Sequence, residues 1–487
     1  MKVLNEKEND GLSIGWAIED ITPEEPVSLY GQYYERFSEY VESPLKIIAF
    51  AIEKREKNEV KEQAIMVSMD LIYTLKPLQD SVKQRIKELI TDFDESKLFL
   101  NATHTHSAPY PEVESDYGKF LLDQLVKVVV TAWNGRNPAG ISNAYQNAVT
   151  GFNRRVLYAD GTAEMYGATD REDYIGIEGP SDTGVDLLFC WDINKKLTGI
   201  IINVSCPAQV TESKYYVSAD YWSEVRKQIK KRYGEDVFVL AQCGAAGDIS
   251  PRDLATGYKT DEPNMWEVEG MVEIGKRLAE AVEKGYAVAK NNIRSNVPFK
   301  HHVKNIELPT RRVSKEEYGK ALAKVKDILS REPKDPNSPD TAWNRFLKEI
   351  KVNEKYKEYG PWDSKTSDFG WLKPQELVLK QYENQENDLR YYFELHVIRL
   401  GNIAFATNPF ELFVDYGFMI TGRSKATQTF IIQFSGDSGG YLPTQRALEG
   451  GGYSAMANHI GPTGGKVLVN ETVELINSLW DQDVLSI

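Results

Sequence analysis

The chain contains few cysteines and little positive charge, and both facts exclude classes of protein. Only three cysteines occur among 487 residues, at Cys190, Cys206 and Cys243, so a secreted scaffold held together by disulfides is excluded. Acidic residues outnumber basic ones by 72 to 58, which gives a formal net charge of −14. Generic nucleic-acid binding and docking on anionic membranes both require a basic face, so neither is expected.

Long apolar runs are also missing. The best candidate, residues 45–52, has the length of a strand and is interrupted by Lys46, whereas a membrane-spanning helix needs about 20 predominantly apolar residues. The first sixteen residues lack the apolar segment of a secretory signal peptide. We therefore expect a soluble protein without an integral membrane segment, located in the cytoplasm or the periplasm.

The composition is otherwise that of an ordinary globular protein, with 41% hydrophobic and 27% charged residues. Strand-like and helix-like patterns alternate along the chain, which is typical of α/β proteins. The main strand patterns cover residues 60–73, 97–102, 197–204, 237–241, 391–407 and 429–434. The main helical patterns cover residues 78–90, 117–133, 220–232, 265–289 and 470–480. We predict one large α/β domain over residues 1–487, with a mixed or parallel sheet flanked by helices.

One long segment, residues 316–383, does not fit this alternation. Its polar, proline-rich centre at 331–340 separates two helical patterns, at 315–329 and 341–359. We predict a helical insertion or lid within the domain. Its aromatic residues either cover the functional site or dock the helices on the sheet, and the sequence leaves both open. They are Tyr318, Trp343, Tyr356, Tyr359, Trp362 and Trp371.

Two of the six histidines share one short segment, residues 102–109 (ATHTHSAP), directly after a predicted strand. Residues at i and i+2 of an extended segment point to the same face. His104 and His106 therefore suit a pair in which one ligates a metal and the other binds substrate or transfers a proton; two surface imidazoles are the alternative. His301 and His302 are adjacent, face opposite sides and are interpreted as structural.

Four further polar segments follow predicted strands, where open α/β sheets place their sites. They are residues 203–209, which contain Cys206-Pro207; residues 242–252, which contain Asp248, Ser250 and Arg252; residues 408–411, which end at Glu411; and residues 436–441, which end at Tyr441. The residues alone favour a packed Cys206 over a ligand or nucleophile. For Glu411 they leave open a purely structural role at a helix start.

Residues 436–440 read GDSGG, a signature of chymotrypsin-type proteases. Such proteases are all-β and need an upstream catalytic histidine in a disulfide-tied context, whereas this chain has an α/β pattern. We interpret the glycine-rich turn as a device that presents Tyr441.

Taken together, these segments resemble the catalytic domain of neutral/alkaline ceramidases, from about residue 13 to residue 462. The most specific matches are ATHTHSAP at 102–109 and GDISP at 247–251. The resemblance implies a zinc-dependent α/β hydrolase domain that cleaves an N-acyl amide bond. The C-terminal immunoglobulin-like domain of that family is expected to be absent.

The resemblance also implies roles for individual residues at matching positions. The implied zinc ligands are His104, Glu411 and Tyr441. The implied catalytic residues are His106, Ser250 and Tyr453. The implied substrate-binding residues are Gly31 and Arg154.

Two positions depart from the family pattern. The family's second zinc-binding histidine precedes a proline, and Cys206 stands there in this chain. A thiolate is a good zinc ligand, so His104, Cys206, Glu411 and Tyr441 form a chemically sensible ligand set; loss of the metal is the alternative. Arg252 replaces an asparagine of the family and adds a cation for substrate binding.

We therefore predict a zinc-dependent hydrolase that cleaves an amide bond in a substrate other than, or in addition to, ceramide. Two alternatives remain. A carbohydrate-active enzyme on the same scaffold (a glycan hydrolase, lyase or deacetylase) is favoured by the 26 tyrosines and 9 tryptophans, since sugars stack on aromatic rings. A metal-free binding protein is the other. The expected partner is a small molecule, lipid or glycan, and not a nucleic acid.

Overall fold

The computed structural model describes residues 10–32, 36–255, 265–330 and 372–481. In these residues the strands are β1 (Gly11–Asp20), β2 (Ser28–Leu29), β3 (Arg36–Phe37), β4 (Tyr40–Val41), β5 (Lys46–Glu56), β6 (Glu59–Met69), β7 (Leu98–Ala102), β8 (Asn137–Asn147), β9 (Phe152–Asn153), β10 (Arg155–Tyr158), β11 (Ala163–Met165), β12 (Tyr174–Ile177), β13 (Gly184–Asp192), β14 (Leu197–Val204), β15 (Tyr216–Val217), β16 (Phe238–Cys243), β17 (Ile249–Ser250), β18 (Phe299–Pro309), β19 (Arg390–Leu400), β20 (Ile403–Thr407), β21 (Glu411–Leu412), β22 (Gln428–Ile432) and β23 (Tyr441–Leu442).

The helices are α1 (Lys76–Leu89), α2 (Asp116–Asn134), α3 (Tyr221–Tyr233), α4 (Glu267–Ala289), α5 (Lys315–Ser330), α6 (Leu372–Asn384), α7 (Val414–Thr421), α8 (Gln445–Gly450), α9 (Tyr453–Met456) and α10 (Gly464–Asp481), and a 3-10 turn covers Glu95–Lys97. None of these helices combines the length and the apolarity needed to cross a bilayer.

Eight strands form the larger sheet, in the order β16-β14-β13-β8-β1-β5-β6-β7. Its neighbouring strands are antiparallel except for the two outer pairs, β14/β16 and β6/β7, which are parallel. A helix joins the two strands of each parallel pair, because parallel neighbours need a crossover connection; α1 joins β6 to β7 and α3 joins β14 to β16. The prediction of an α/β domain with a mixed sheet flanked by helices is confirmed.

A second sheet, in the order β18-β19-β20-β22, packs face to face on the first. Strand β5 shows how the sequence permits this. Ile48, Phe50 and Ile52 belong to the apolar cluster between the two sheets, whereas Ile47 and Ala49 belong to the cluster beneath the helices. A strand that is buried on both faces reads as a continuous apolar run, which explains the run at residues 45–52.

Helices cover the outer face of each sheet and complete four layers. Helices α1 and α2 pack on one half of the larger sheet, and α3 and α4 pack on the other half. Helices α7 and α10 cover the smaller sheet. The sequence patterns predict many of the helices and strands of these layers, but they predict no strand at β1, β8, β13 or β18. The stacking of the two sheets depends on contacts between distant segments and has no local pattern.

The carboxyl ends of the parallel strand pairs meet at one edge of the structure. The third such pair, β20/β22, is joined by α7. At this edge the backbone N–H of Ala102 donates to the carbonyl of Phe434 at 3.2 Å, and the N–H of Gln433 donates to the carbonyl of Cys243 at 3.0 Å. The polar segments after β7, β14, β16, β20 and β22 therefore start close together.

The two described ends of the predicted insertion form a helical pair beside α9. The rings of Tyr318 on α5 and Tyr382 on α6 lie 4.5 Å apart, and Gln375 on α6 lies 3.7 Å from the sulfur of Met456. The predicted helix at 341–359 lies outside the described residues. So do Trp343, Tyr356, Tyr359, Trp362 and Trp371.

A buried ion pair fixes the segment that begins α9. Arg155 is fully buried, and its Nε and Nη2 bind the two carboxylate oxygens of Glu178 at 2.6 and 3.1 Å. The same guanidinium donates to the Ser454 hydroxyl at 2.9 Å and to the Gly451 carbonyl at 3.0 Å. Arg155 thus joins β10 to the segment that begins α9 and carries Tyr453.

We expect the Arg155→Ala variant to lose about 3–5 kcal/mol of unfolding free energy, because it leaves the Glu178 carboxylate buried without its counter-ion. Urea unfolding followed by circular dichroism measures this change.

The matched control is Arg171→Ala. Arg171 makes the same two-pronged contact with Asp173, at 2.8 and 2.6 Å, but on the surface. Since exposed ion pairs contribute little, this variant should lose only a small fraction of that free energy. Equal losses in the two variants would contradict the role assigned to burial.

Candidate active site

Five of the residues singled out from the sequence form one buried cluster at the edge where the parallel pairs end. They are His104, His106, Arg154, Glu411 and Tyr441. The two histidines follow β7 and Arg154 lies between β9 and β10. Glu411 and Tyr441 are directly paired in the short parallel ladder β21/β23. Segments that are far apart in sequence therefore deliver these side chains to one place.

The His104 imidazole is held on two sides. Its ring stacks on Phe434, with the centroids 4.1 Å apart and the planes 1° from parallel. Its Nδ1 lies 2.9 Å from the carbonyl oxygen of Ile72. A carbonyl only accepts, so we assign the proton to Nδ1 and a lone pair to Nε2, which lies 4.0 Å from a Glu411 carboxylate oxygen. Burial lowers the pKa of His104 well below its ordinary value, so the ring is neutral.

The His106 ring lies at right angles to that of His104, and their Nε2 atoms are 3.1 Å apart. Its Nδ1 lies 3.3 Å from a carboxylate oxygen of Glu212, which is also buried. Burial lowers the pKa of His106, and the contact with Glu212 partly offsets this effect. Gly31 packs on the ring: a Cβ atom at this glycine would lie 2.6 Å from Cγ of His106.

Glu411 is a buried carboxylate with partners on several sides. The Tyr73 hydroxyl donates to it at 3.1 Å, the Tyr441 hydroxyl bonds to it, and Nη2 of Arg154 lies 3.9 Å away. Burial raises the pKa of Glu411, whereas the Arg154 charge and the two hydroxyl groups lower it. Burial and the nearby Glu411 charge raise the pKa of Tyr441 well above its ordinary value, so its phenol stays protonated in this environment.

Arg154 connects this cluster to Ser250. Its Nη2 donates to the Tyr441 hydroxyl at 3.2 Å and to the Gly247 carbonyl at 3.0 Å, and its Nη1 donates to the Tyr166 hydroxyl at 3.1 Å. The Tyr166 hydroxyl also lies 3.2 Å from Oγ of Ser250. Ser250 therefore reaches the cluster through Tyr166.

Two further candidates are Tyr453, which was predicted to be catalytic, and Arg252, which was predicted to bind substrate. The ring of Tyr453 meets Tyr441 edge-on, with the centroids 5.4 Å apart. Arg252 is exposed, and its guanidinium carbon lies 5.8 Å from the centre of the Trp266 ring.

Cys206 has different neighbours. It is fully buried within the apolar cluster beneath α3 and α4, and its thiol donates to the Thr150 carbonyl at 3.2 Å. Burial raises the pKa of this thiol well above its ordinary value. Within the described residues, no hydrogen bond or ion pair joins Cys206 to His104, Glu411 or Tyr441. Its placement matches the packed cysteine that its sequence position favours.

Three residues that contact the predicted site were missed from the sequence. Tyr73 is the last residue of the predicted strand at 60–73, and Glu212 lies three residues beyond the segment 203–209. Both could have been found by searching a few residues further around the ends of the predicted strands. Tyr166 lies next to the short strand β11 and has no comparable signal. Its position depends on Gln209, whose amide donates to the Tyr166 hydroxyl at 2.8 Å.

The donors in this cluster can be tested against the zinc ion that the resemblance implies. The carbonyl behind Nδ1 of His104 fixes the tautomer in the way that is typical of metal-binding histidines. Imidazole nitrogen and carboxylate oxygen are ordinary zinc ligands, so His104 and Glu411 have the chemistry to bind the ion. Tyr441 could contribute only its phenol oxygen. Within the described residues, no group of three or more His, Cys, Asp or Glu side chains is placed so that it could hold a metal ion as it stands.

Two solved structures are similar to this chain over almost its whole length. One is the neutral ceramidase from Pseudomonas aeruginosa, with a TM-score of 0.66 and 15% identity, covering 97% of this chain and 75% of that one. The other is a ceramidase complexed with C2, with a TM-score of 0.66 and 14% identity, covering 97% and 76%. The chain therefore has the neutral ceramidase fold. No family model and no curated protein matches its sequence.

We expect the Gly31→Ala variant to displace the His106 ring, because the added methyl group would overlap it. Nitrogen NMR shifts of labelled histidine should change for His106 in this variant. The loss of unfolding free energy should exceed the roughly 1–3 kcal/mol of a strained backbone conformation.

The matched control is Gly234→Ala. Gly234 has a φ of +111°, against +112° for Gly31, but an added Cβ there has no atom within 4 Å. This variant should show the backbone strain alone, with unchanged histidine shifts. If Gly31→Ala behaves in the same way, the close packing of Gly31 on His106 has no role.

Proposed function

We propose that this chain is a zinc-dependent amide hydrolase of the neutral ceramidase type. The observation that carries the proposal is the convergence of His104, Glu411 and Tyr441 in one buried cluster, although they come from separate segments. These are the residues that the family resemblance assigns to the metal, and the fold similarity adds independent support.

Bound zinc would lower the pKa of a water molecule to about 7 and polarise the carbonyl of the scissile amide. The residues of the chain hold and surround that centre. His104 would bind through Nε2, because its Nδ1 is committed to the Ile72 carbonyl. Glu411 would bind through the oxygen that faces His104, since Tyr73 occupies the other oxygen.

The groups around this centre suit charge stabilisation and substrate positioning. Arg154 carries a buried positive charge beside Glu411 and Tyr441, where a developing oxyanion gains most from it. The Tyr453 hydroxyl would donate to the substrate carbonyl or the leaving group. Ser250 would hold Tyr166, and through it Arg154, in place.

A row of aromatic rings leads from the surface to the cluster and would suit an apolar acyl chain. Tyr30 is 44% exposed; its ring lies 4.5 Å from that of Tyr110 and 6.4 Å from that of Tyr73. Tyr73 in turn lies 5.4 Å from the His104 ring. A row of rings that starts at the surface and ends at the reactive group is suited to an extended apolar substituent. Exposed Arg252 would bind the polar end of such a substrate.

The test is turnover of a panel of N-acyl amides by the purified protein before and after chelator treatment. We expect hydrolysis of at least one N-acyl amide with a long acyl chain, loss of activity after chelation and recovery with zinc. Acetylated and acidic oligosaccharides form the second arm of the panel. Turnover confined to that arm would replace the amide hydrolase with a carbohydrate-active enzyme, and binding without turnover in either arm would support the binding-protein alternative.

Variants at two residues should separate metal binding from catalysis. His104→Ala should lose metal and activity together, as measured by elemental analysis and turnover. Tyr453→Phe should keep the metal and lose roughly 10²-fold in turnover, since it loses one hydrogen-bond donor but keeps the ring that packs on Tyr441.

Tyr233→Phe is the control for removal of a hydroxyl group. Tyr233 ends α3, and its ring packs on Tyr286 at 4.8 Å, away from the cluster. It should retain both metal and turnover. A Tyr453→Phe variant with unchanged turnover would remove that residue from the catalytic set.

A further inference from the structure

The His104 and His106 rings face each other through the same atom of each ring. The two Nε2 atoms are 3.1 Å apart. The Nδ1 of His104 lies against the Ile72 carbonyl at 2.9 Å, and the Nδ1 of His106 lies against the Glu212 carboxylate at 3.3 Å. A carbonyl oxygen only accepts, so Nδ1 of His104 carries the ring proton. The contact between Nδ1 of His106 and Glu212 has an ion-pair distance without hydrogen-bond geometry, so it does not fix the tautomer of that ring.

The lone pair on Nε2 of His104 therefore points at Nε2 of His106. Two ring nitrogens this close share either a proton or a cation that both of them bind. Neither ring can turn away easily: His104 is stacked on Phe434, and His106 is packed against Gly31. The cluster thus holds two ring nitrogens that converge on one point.

The spacing of this pair fits a metal ion. Zinc–nitrogen bonds of about 2.0–2.1 Å in tetrahedral geometry place neighbouring ligand atoms about 3.3 Å apart. The 3.1 Å between the two Nε2 atoms is close to that value. The 4.0 Å from Nε2 of His104 to Glu411 is longer by an amount that a small side-chain rotation covers.

Cys206 does not offer a comparable donor. Its thiol gives its hydrogen to the Thr150 carbonyl at 3.2 Å. A thiolate in that position would face the carbonyl oxygen and be repelled by it. To bind the ion, Cys206 would also have to leave the apolar cluster in which it is fully buried.

We propose that His106, and not Cys206, supplies the second side-chain ligand beside His104, so that the metal is held by His104, His106, Glu411 and Tyr441. Glu212 is then the carboxylate that orients His106 from behind, an arrangement common in zinc sites. This inference rests on the proposed function only in taking a divalent cation as the ligand. It gives His106 a role in the metal site that the family resemblance does not imply.

Cobalt(II) is the probe, because its absorption spectrum reports the ligand atoms without any need for turnover. We expect the metal-free protein to bind one cobalt per chain without a sulfur-to-cobalt charge-transfer band. His106→Ala should weaken cobalt binding by 100-fold or more. Glu212→Gln should weaken it by about 10–100-fold, the usual effect of losing such a carboxylate partner. Cys206→Ser and its control Cys243→Ser should keep the affinity of the unchanged chain.

The spectrum of the unchanged chain decides the sulfur question even if a variant fails to fold, and His106→Asn provides a second test of the imidazole. A charge-transfer band that disappears in Cys206→Ser would overturn the proposal. Full cobalt affinity in a folded His106→Ala variant would also overturn it. So would a failure of the unchanged chain to bind cobalt, because the contact between the two Nε2 atoms would then be explained by a shared proton.

These outcomes are separate from those that test the proposed function. Cobalt bound through the two imidazoles without hydrolysis of any N-acyl amide would leave the ligand set standing and remove the function. Hydrolysis by a protein that binds cobalt through sulfur would support the proposed function and overturn the ligand set.

Discussion

The site depends on the burial of one carboxylate, that of Glu411. A buried charge costs several kcal/mol unless partners replace the lost water. Its partners come from separate segments: Tyr73 follows β6, Arg154 lies between β9 and β10, and Tyr441 begins β23. The hydrogen bonds and ion pair that stabilise this one buried side chain therefore fix the relative positions of these segments. They also fix the geometry in which a substrate would be bound.

The same carboxylate determines the charge balance of the cluster. Arg154 lies 3.9 Å from Glu411, and the carboxylate of Glu212 lies on the far side of the two imidazoles. A divalent cation bound beside Glu411 would have that carboxylate as a direct ligand, the Arg154 guanidinium nearby and the Glu212 carboxylate behind His106. Burial lowers the pKa of both imidazoles and raises the pKa of the Tyr441 phenol, which favours the uncharged forms of these groups.

Those parts of the molecule that depend on local pattern could be predicted from the sequence. The alternation of strands and helices gave the α/β class, and the polar segments after strands contained His104, Glu411 and Tyr441. The i, i+2 spacing placed both histidines on one side, but the physical route differs from the expected one: His104 has a φ of +65°, so the segment bends instead of continuing as a strand. Glu212 and Tyr166 could not be identified, since their roles arise from contacts between distant segments. His301 and His302, which were expected to face opposite sides, do differ in environment. His301 is fully buried, and its Nε2 lies 3.0 Å from Nδ1 of His396.

The separation of the site residues along the chain has a consequence for synthesis and folding. Tyr73 and Glu411, which share a hydrogen bond, are 338 residues apart. Loops of that length close slowly compared with local structure. During translation the larger sheet can form while the second sheet is still unmade, and in that interval the polar ends of its strands remain open to water. The cluster can close only after β20, β21 and β23 have left the ribosome, so a chain released early would contain both histidines without Glu411.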